Sequence, residues 1–322
     1  MKYQTIKFSG DSTRLDKYLQ QNISSFSRTE IQNNIKAGNV LVNELVSKSS
    51  CRLKHGDTIK IISHVNNSSS IDLLAPANVP LDIIFEDENV IVINKNSGIS
   101  VHPAHSSNQP SVVNALINHY PAISNVVLEK DNPTSLLRPG VVHRLDKDTS
   151  GTMIFAKNIK TLEYLMQCFK KRDVVKQYRA ICYNWPNEDS GKLINYLGRK
   201  RSDRKFYSET GISNGKKAVS DFKVVSYFKS NNRTLSLLNF RIFTGRTHQI
   251  RVQSLLMGNP VLGDKRYFTR ESKMLSQSLS IKRQLLHSFR LSITLPGDKE
   301  LTTYVSPLPD DMSTIVNSLE HK

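Results

Sequence analysis

Residues 141–151 read VVHRLDKDTSG. Two apolar residues lead into His143, Arg144, Leu145, Asp146, Lys147 and Asp148, and Thr-Ser-Gly closes the stretch. Side chains alternate along an extended chain, so Val142, Arg144 and Asp146 would share one face of a strand. Asp148-Thr149-Ser150-Gly151 reads as a turn, because Asp accepts from amides two residues on and Gly tolerates positive φ. Asp146 would then end a strand, beside a loop and on the face of Arg144. A cation close to a carboxylate favours its charged form, which suits a nucleophile or base better than a proton donor. An ordinary ion pair at a strand end accounts for the same residues.

The flanking sequence sets this stretch in a sheet. IIFE and VIVIN give strands over Ile83 to Glu86 and Val90 to Asn94, with a turn at Asp87-Glu88-Asn89. Ser111 to His119 reads as a short helix. GTMIFAKN is a strand, and TLEYLMQCFKKR is an amphipathic helix with Leu162, Leu165, Met166 and Phe169 on one stripe and cations at its C-terminal end. KQYRAICYN, AVSDFKVVSYF and TLSLLNFRIF are further strands. After a turn at Thr244-Gly245-Arg246 comes a helix over His248 to Met257, closed by Gly258-Asn259-Pro260. Ser272 to Ser280 reads as a loop, and the last ten residues as a weak helix or frayed tail. Many strands and few helices in mixed order predict an α+β domain, its mixed sheet mostly antiparallel and flanked by helices.

A smaller unit precedes it, over residues 12–63. Leu15, Leu19 and Ile23 form a helical stripe. Ser27-Arg28-Thr29-Glu30 reads as a capping box opening a second helix, with Ile31 and Ile35 on its stripe and Gly38 as its stop. Short strands follow around turns at Asn43-Glu44 and His55-Gly56-Asp57. Arg14, Lys17, Arg28 and Lys36 lie on the helices, as a solvated surface or as a basic face for phosphates. HVNNSSSIDLLAPANVP, residues 64–80, reads as a linker. The second domain then covers 81–310, with a tail over 311–322.

Lys plus Arg number 45 and Asp plus Glu 28, a net charge of +17, and the pI is about 9.7. Nucleic acid is the partner this balance predicts first, an anionic membrane second. No apolar run approaches the ~20 residues of a membrane span, and MKYQTIKFSGD offers no signal-peptide core. Cys51, Cys168 and Cys182 are odd in number and lack metal-type spacing, which argues for a reducing compartment, against a disulfide framework and against a zinc site. His102 and His105 lack matched carboxylate or Cys ligands. There is no GxGxxG, no Walker-type loop and no Gly-x-Ser-x-Gly elbow. The chemistry is expected of a carboxylate, with no cofactor.

Three further stretches could serve such a carboxylate. In Lys176-Gln177-Tyr178-Arg179, Tyr178 could be core, a stacked aromatic or a weak base. In TGRTHQIRV, Thr247 can cap the helix, and Arg246 sits at a helix N-terminus, where the dipole disfavours a cation. Arg246 would therefore take an anionic partner, a phosphate or a carboxylate such as Asp146, unless it is simply solvated; Arg251 projects one turn along. In LGRKRSDRKFYSET, the cations Arg199, Lys200, Arg201, Arg204 and Lys205 form either a solvated loop or a phosphate clamp, and Phe206 and Tyr207 add faces for stacking.

IIFEDENVIVINKNSGISVHP, RPGVVHRLDKDTSG, KQYRA, GKKAVSDF, TGRTHQIRV, GNPVLGD and LLHSFRL, taken in order, resemble the RluA family of RNA pseudouridine synthases. They span about Leu81 to Pro309. The unit in front, with R-L-D-x-x-L, I-x-x-G-x-V-x-V-N and G-D-x-I, resembles the small RNA-binding domain first described in ribosomal protein S-four, as in the RluC and RluD branches. SVHPAH and INHYPAIS look more like RluD. Two departures are Lys95-Asn96-Ser97-Gly98 for Lys-Pro-x-Gly, and Val252-Gln253 for Val-His. The resemblance implies that Asp146 acts on the target uridine, that Tyr178 stacks on its base, that Arg246 pairs with Asp146, and that Arg144 fills the place of the flipped base. His143, Lys176, Thr247 and Arg251 would line the substrate; Arg14, Arg28, Lys36, Arg199, Arg201 and Arg204 would hold RNA. It implies a cytoplasmic, monomeric isomerase without metal, nucleotide cofactor or membrane, acting on large-subunit ribosomal RNA or a pre-ribosomal particle. A non-catalytic RNA-binding assembly factor on the same scaffold is the alternative.

Overall fold

A computed structural model describes residues 2–23, 28–63, 73–103, 107, 109–200, 203, 206–230 and 233–321. The chain divides into two compact units, Met1–Asp72 with Lys130–Thr134, and Leu73–Glu129 with Ser135–Lys322.

In the first unit, β1 (Lys2–Lys7) precedes α1 (Leu15–Asn22) and α2 (Arg28–Lys36), and β2 (Val40–Val42), β3 (Leu45–Val46) and β4 (Thr58–Ser63) follow. The strand order is β1-β4-β2-β3, antiparallel throughout. Leu15, Leu19, Ile31 and Ile35 bury the helical stripes against Val40, Leu53 and Ile59. Asn43 and Glu44 both take positive φ, the backbone that a tight two-residue hairpin demands. Strand β1 lies ahead of the start expected at residue 12; KYQTIK is polar enough to hide a strand that pairs along β4. The expected capping box rests on Ser27, outside the described residues.

The second unit opens with β5 (Ile83–Glu86), β6 (Val90–Lys95) and α3 (Val112–His119). Then come β7 (Ser150–Ala156), α4 (Ile159–Lys171), β8 (Val175–Tyr183), β9 (Ser190–Arg199), β10 (Tyr207–Glu209), β11 (Lys216–Ser230) and β12 (Arg233–Ile242). Last are α5 (Gln249–Leu256), α6 (Arg270–Ser278), β13 (Leu286–Ile293), β14 (Thr302–Val305), α7 (Asp310–Ser318) and β15 (Glu320–His321). The sheet runs β10-β9-β11-β12-β8-β13-β7-β6-β5, with β14 on β13 and β15 on β11. Among the strands named here only β7 with β13 pairs in parallel. This is an α+β fold with a mixed, mostly antiparallel sheet. Its core includes the fully buried β7 and residues of β6, β8, β12 and α3.

Four expectations change. Residues 142–149 form no strand; Val141 makes an isolated bridge to Phe155, and the chain stays irregular until β7 begins at Ser150. Leu197 to Thr210 is not all loop, since β9 and β10 lie there. Residues 270–278 are a helix, because the Thr269 hydroxyl accepts from the Ser272 amide while Ser272 returns the bond. Of the two readings of the C-terminal residues the helix holds, as α7, with Met312 and Leu319 buried beside Phe228 and Leu235. Leu73 and Ala75, expected in the linker, belong to the second unit, where both carbonyls accept from the buried Asn114 amide at 2.8 Å.

Candidate active site

The HRLD loop is held from below by a lysine. Lys95 ends β6, is 1% exposed, and donates to the carbonyls of Asn96 at 2.8 Å, Ile99 at 3.0 Å and Lys147 at 3.1 Å. The Gly98 amide also donates to Lys147 O, at 3.0 Å. Burial pushes the Lys95 ammonium down to about 7, against the pull of Asp148. The Thr149 amide closes a turn onto Asp146 O at 3.0 Å, so the loop reverses and enters β7. Asp146 thus owes its position to this fixed turn.

Opposite lies α5. Its N-cap, His248, takes a left-handed φ of 56°. Thr247 is not the cap: the Gln249 side-chain oxygen accepts from the Arg246 amide at 3.0 Å and from the Thr244 hydroxyl at 2.7 Å. The first helical turn then directs Arg251 inward. Its Nη1 donates to Asp146 Oδ2 at 2.8 Å, and its Nε and Nη2 grip Asp264 at 2.6 and 2.9 Å. Arg251 is 5% and Asp264 6% exposed. Burial opposes the guanidinium charge, and the two carboxylates more than offset it, so the Arg251 pKa is raised. The expected pairing of Asp146 with Arg246 is therefore corrected. Arg246 turns toward the sheet, where its Nε donates to Lys217 O at 3.1 Å. Both arginines were in the quoted stretch; the left-handed residue that decides between them was not legible.

Tyr178, in β8, is 7% exposed. Burial pushes its phenol up to about 12, a Ser288 hydrogen bond opposes this, and Asp146 adds to it. At neutral pH the group is a protonated phenol, able to donate and to stack. His248 lies 3.8 Å from Asp146 and hydrogen-bonds the Tyr267 hydroxyl at 2.8 Å; burial pushes it down to about 4. Lys95, His248 and Asp264 were not singled out as site residues, although a lysine closing the apolar run VIVIN and the aspartate of GNPVLGD were visible signals.

Asp146, Tyr178, Arg144, Arg246, Thr247, His248 and Arg251 line one cavity of about 110 Å³, with Leu145, Ile242 and Leu286 as its apolar wall. Two expected substrate residues lie elsewhere. His143 stacks on Phe169 with ring centroids 4.8 Å apart and accepts from the Ile154 amide at 3.1 Å. The Lys176 ammonium lies over the same Phe169 ring at 5.6 Å. Both brace α4 against the sheet rather than face Asp146.

Of the expected RNA contacts, Lys36 is exposed at the end of α2. Arg14 grips the buried Asp16 with two bonds of 2.9 Å, which anchors the start of α1. Arg199 donates to the Tyr207 hydroxyl at 2.9 Å, beside His248. Arg201, Arg204 and the side chain of Arg28 are outside the described residues.

The family model described as RNA pseudouridylate synthase matches residues 89–255. The chain is 33% identical over 308 residues to an uncharacterized RNA pseudouridine synthase, YlyB, of Bacillus subtilis, covering 96% of this chain and 94% of the relative. It is 36% identical over 301 residues to ribosomal large subunit pseudouridine synthase D of Borreliella burgdorferi, covering 93% and 87%. Among solved structures, human RNA pseudouridylate synthase domain containing 1 superposes with a TM-score of 0.60 at 23% identity, over 76% of this chain and 89% of that one.

Proposed function

This chain belongs to the RNA pseudouridylate synthase family, and from that premise we propose that Asp146 isomerises specific uridines of large-subunit ribosomal RNA. The enzyme class is RNA pseudouridine synthase, an isomerase. Relatives named for the large ribosomal subunit support the substrate. The observation that carries the site assignment is the Arg251–Asp146 contact of 2.8 Å, in a cavity that also holds Tyr178.

A uridine inside a helix cannot reach this cavity. Extrusion costs a few kcal/mol, which stacking and basic contacts must offset. Arg144 is exposed at the cavity mouth and fits the place the base leaves. Asp146 then acts on the ribose, by attack at C1′ or by proton removal at C2′, and the bond from N1 to C1′ breaks. The uracil turns against the Tyr178 ring and C5 bonds to C1′, which releases the Asp146 oxygen from C1′ in the first route or is accompanied by return of the proton to C2′ in the second; C5 then loses its proton and N1 gains one. Arg251 stays fixed on Asp264 throughout and keeps the Asp146 carboxylate aimed. The first unit raises affinity for RNA in this reading, since phosphate contacts position rather than specify. The proposed setting is the cytoplasm. A single 36.5 kDa species in sedimentation would establish the proposed monomer.

Pseudouridine mapping by carbodiimide and primer extension tests this in cells lacking the gene, complemented with wild type or Asp146→Ala. Loss of defined large-subunit stops, restored by wild type alone, is the expected result. On purified RNA the variant loses at least about a hundredfold in rate. An unchanged map would overturn the substrate assignment, and rescue by Asp146→Ala would overturn the role of Asp146.

A further inference from the structure

A second cavity, of about 340 Å³, lies on the other side of the HRLD loop. His102, Glu129, Arg138, Arg144, Leu162 and Met166 are among its lining residues. Arg144 lines the Asp146 cavity as well, so the two chambers share this side chain.

The second chamber has polar groups without partners. Arg138 Nε and His102 Nδ1 are buried and have no hydrogen-bond partner among the described residues. A buried donor left unpaired is costly, so native structures seldom retain one without a reason. Neither Arg138 nor Arg144 has an ion pair among the described residues, and each guanidinium disfavours the charge on its neighbours. Burial and then Arg144 lower the Arg138 pKa. Burial and then the two arginines push His102 down to about 4, so it is neutral. Glu129, at the rim, accepts from the Ser135 hydroxyl at 3.3 Å. Facing these groups is an apolar wall: Leu162 is buried and Met166 is 45% exposed.

An occupant must carry an anion for two guanidiniums, a flat apolar face for Leu162 and Met166, and an acceptor edge for the orphaned Arg138 Nε. A nucleotide has all three. Because Arg144 is common to both chambers, that nucleotide neighbours whatever occupies the Asp146 cavity. We propose that this cavity is a second nucleotide subsite, which takes the residue adjacent to the target uridine out of the RNA stack and so contributes to the choice of target. The proposal rests on the uridine isomerase reading given above.

The test pairs protein and RNA changes in the full chain. The probe is a synthetic hairpin of large-subunit ribosomal RNA centred on the uridine found by mapping, intact or with an abasic residue on either side of it. Affinity is read by fluorescence anisotropy, and pseudouridine formation is read separately on the same hairpin. With wild type, one of the two abasic hairpins binds about tenfold more weakly than the intact one, in the range of a lost base contact. Arg138→Gln and Met166→Glu each weaken the intact hairpin about tenfold. Neither weakens that abasic hairpin further, and kcat at saturation stays within about twofold. Met166 is exposed, so Met166→Glu folds normally and keeps the test independent of any misfolding of Arg138→Gln. Multiplicative losses, or no effect of either abasic residue, would overturn the subsite even while pseudouridine forms. Coupled losses on a hairpin that wild type binds but never modifies would instead keep the subsite and overturn the isomerase reading.

Discussion

Among the described residues Arg251 touches two carboxylates and Arg246 none, although only four residues separate them. Replacing Arg251 by Met would leave Asp264 buried without its counter-charge. That should cost about 3–5 kcal/mol in urea unfolding as well as activity. Arg251→Lys keeps a charge but loses the fork that spans Asp264; folding should survive better than turnover does. Arg246→Met should shift stability by no more than about 0.5 kcal/mol. If Arg246→Met were the more damaging to folding, the pairing described here would be wrong. Tyr178 makes a different prediction. A phenol held near 12 does not titrate below about pH 10, so kcat should show no alkaline limb from Tyr178 over pH 7 to 10. Tyr178→Phe keeps the ring and should lose no more than about a hundredfold, the lower range for a proton-transfer group.

Among the elements, β7 and β13 approach closely where they pair. Gly151 has φ 113° and lies against Ser288, where a Cβ would collide with the backbone carbonyl and amide. Gly151→Ala should therefore cost roughly 3–5 kcal/mol, from strained backbone and overpacking together, measured by denaturant unfolding. In the sequence Gly151 reads as a turn glycine; a close approach between strands far apart in the chain leaves no local signal. Strands with alternating or continuous apolar runs, β6, β7, β8, β11 and β12, were legible for that reason. Strand β9 does not stand out in the sequence, because its end falls among the cations of LGRKR. Helix α6 is rich in Ser and was read as loop, although Thr269 and Ser272 stand at the capping spacing. The site divided in the same way. Asp146, Arg144 and Tyr178 could be named from short motifs, whereas the pairing of Asp146 needed the left-handed His248 and the distant Asp264.

Across the whole molecule, charge and buried histidines set the response to solution conditions. With a net charge of +17, RNA affinity should fall steeply with salt, the slope counting the phosphates neutralised. A chain beginning at Leu73 keeps the Asn114 contacts; it should bind more weakly, with a flatter salt slope, and modify the same uridines. A changed set of uridines would give the first unit a role in selection. His143 accepts from the Ile154 amide, and the fully buried His287 lies between the Ser150 hydroxyl at 2.9 Å and the Ser306 carbonyl at 3.2 Å. Burial pushes them down to about 3 and about 4. In the unfolded chain they protonate near 6.5. Between roughly pH 6.5 and 4 the unfolded state thus binds more protons, and stability falls as the pH falls. These two histidines contribute a slope of roughly 3 kcal/mol per pH unit, to which His102 and His248, also held low, add; it is read from urea titrations at pH 7, 6 and 5. A flat profile would mean that these histidines are all charged in the fold.

Lys95 also makes the HRLD loop observable in time. An amine in the grip of three carbonyls is closed to acylating reagents until the turn carrying Lys147 opens. The rate at which this one side chain takes up a label, read by peptide mass spectrometry, therefore clocks the opening of the segment that carries Asp146. A bound RNA hairpin should slow that clock, while the exposed lysines away from the RNA keep their pace.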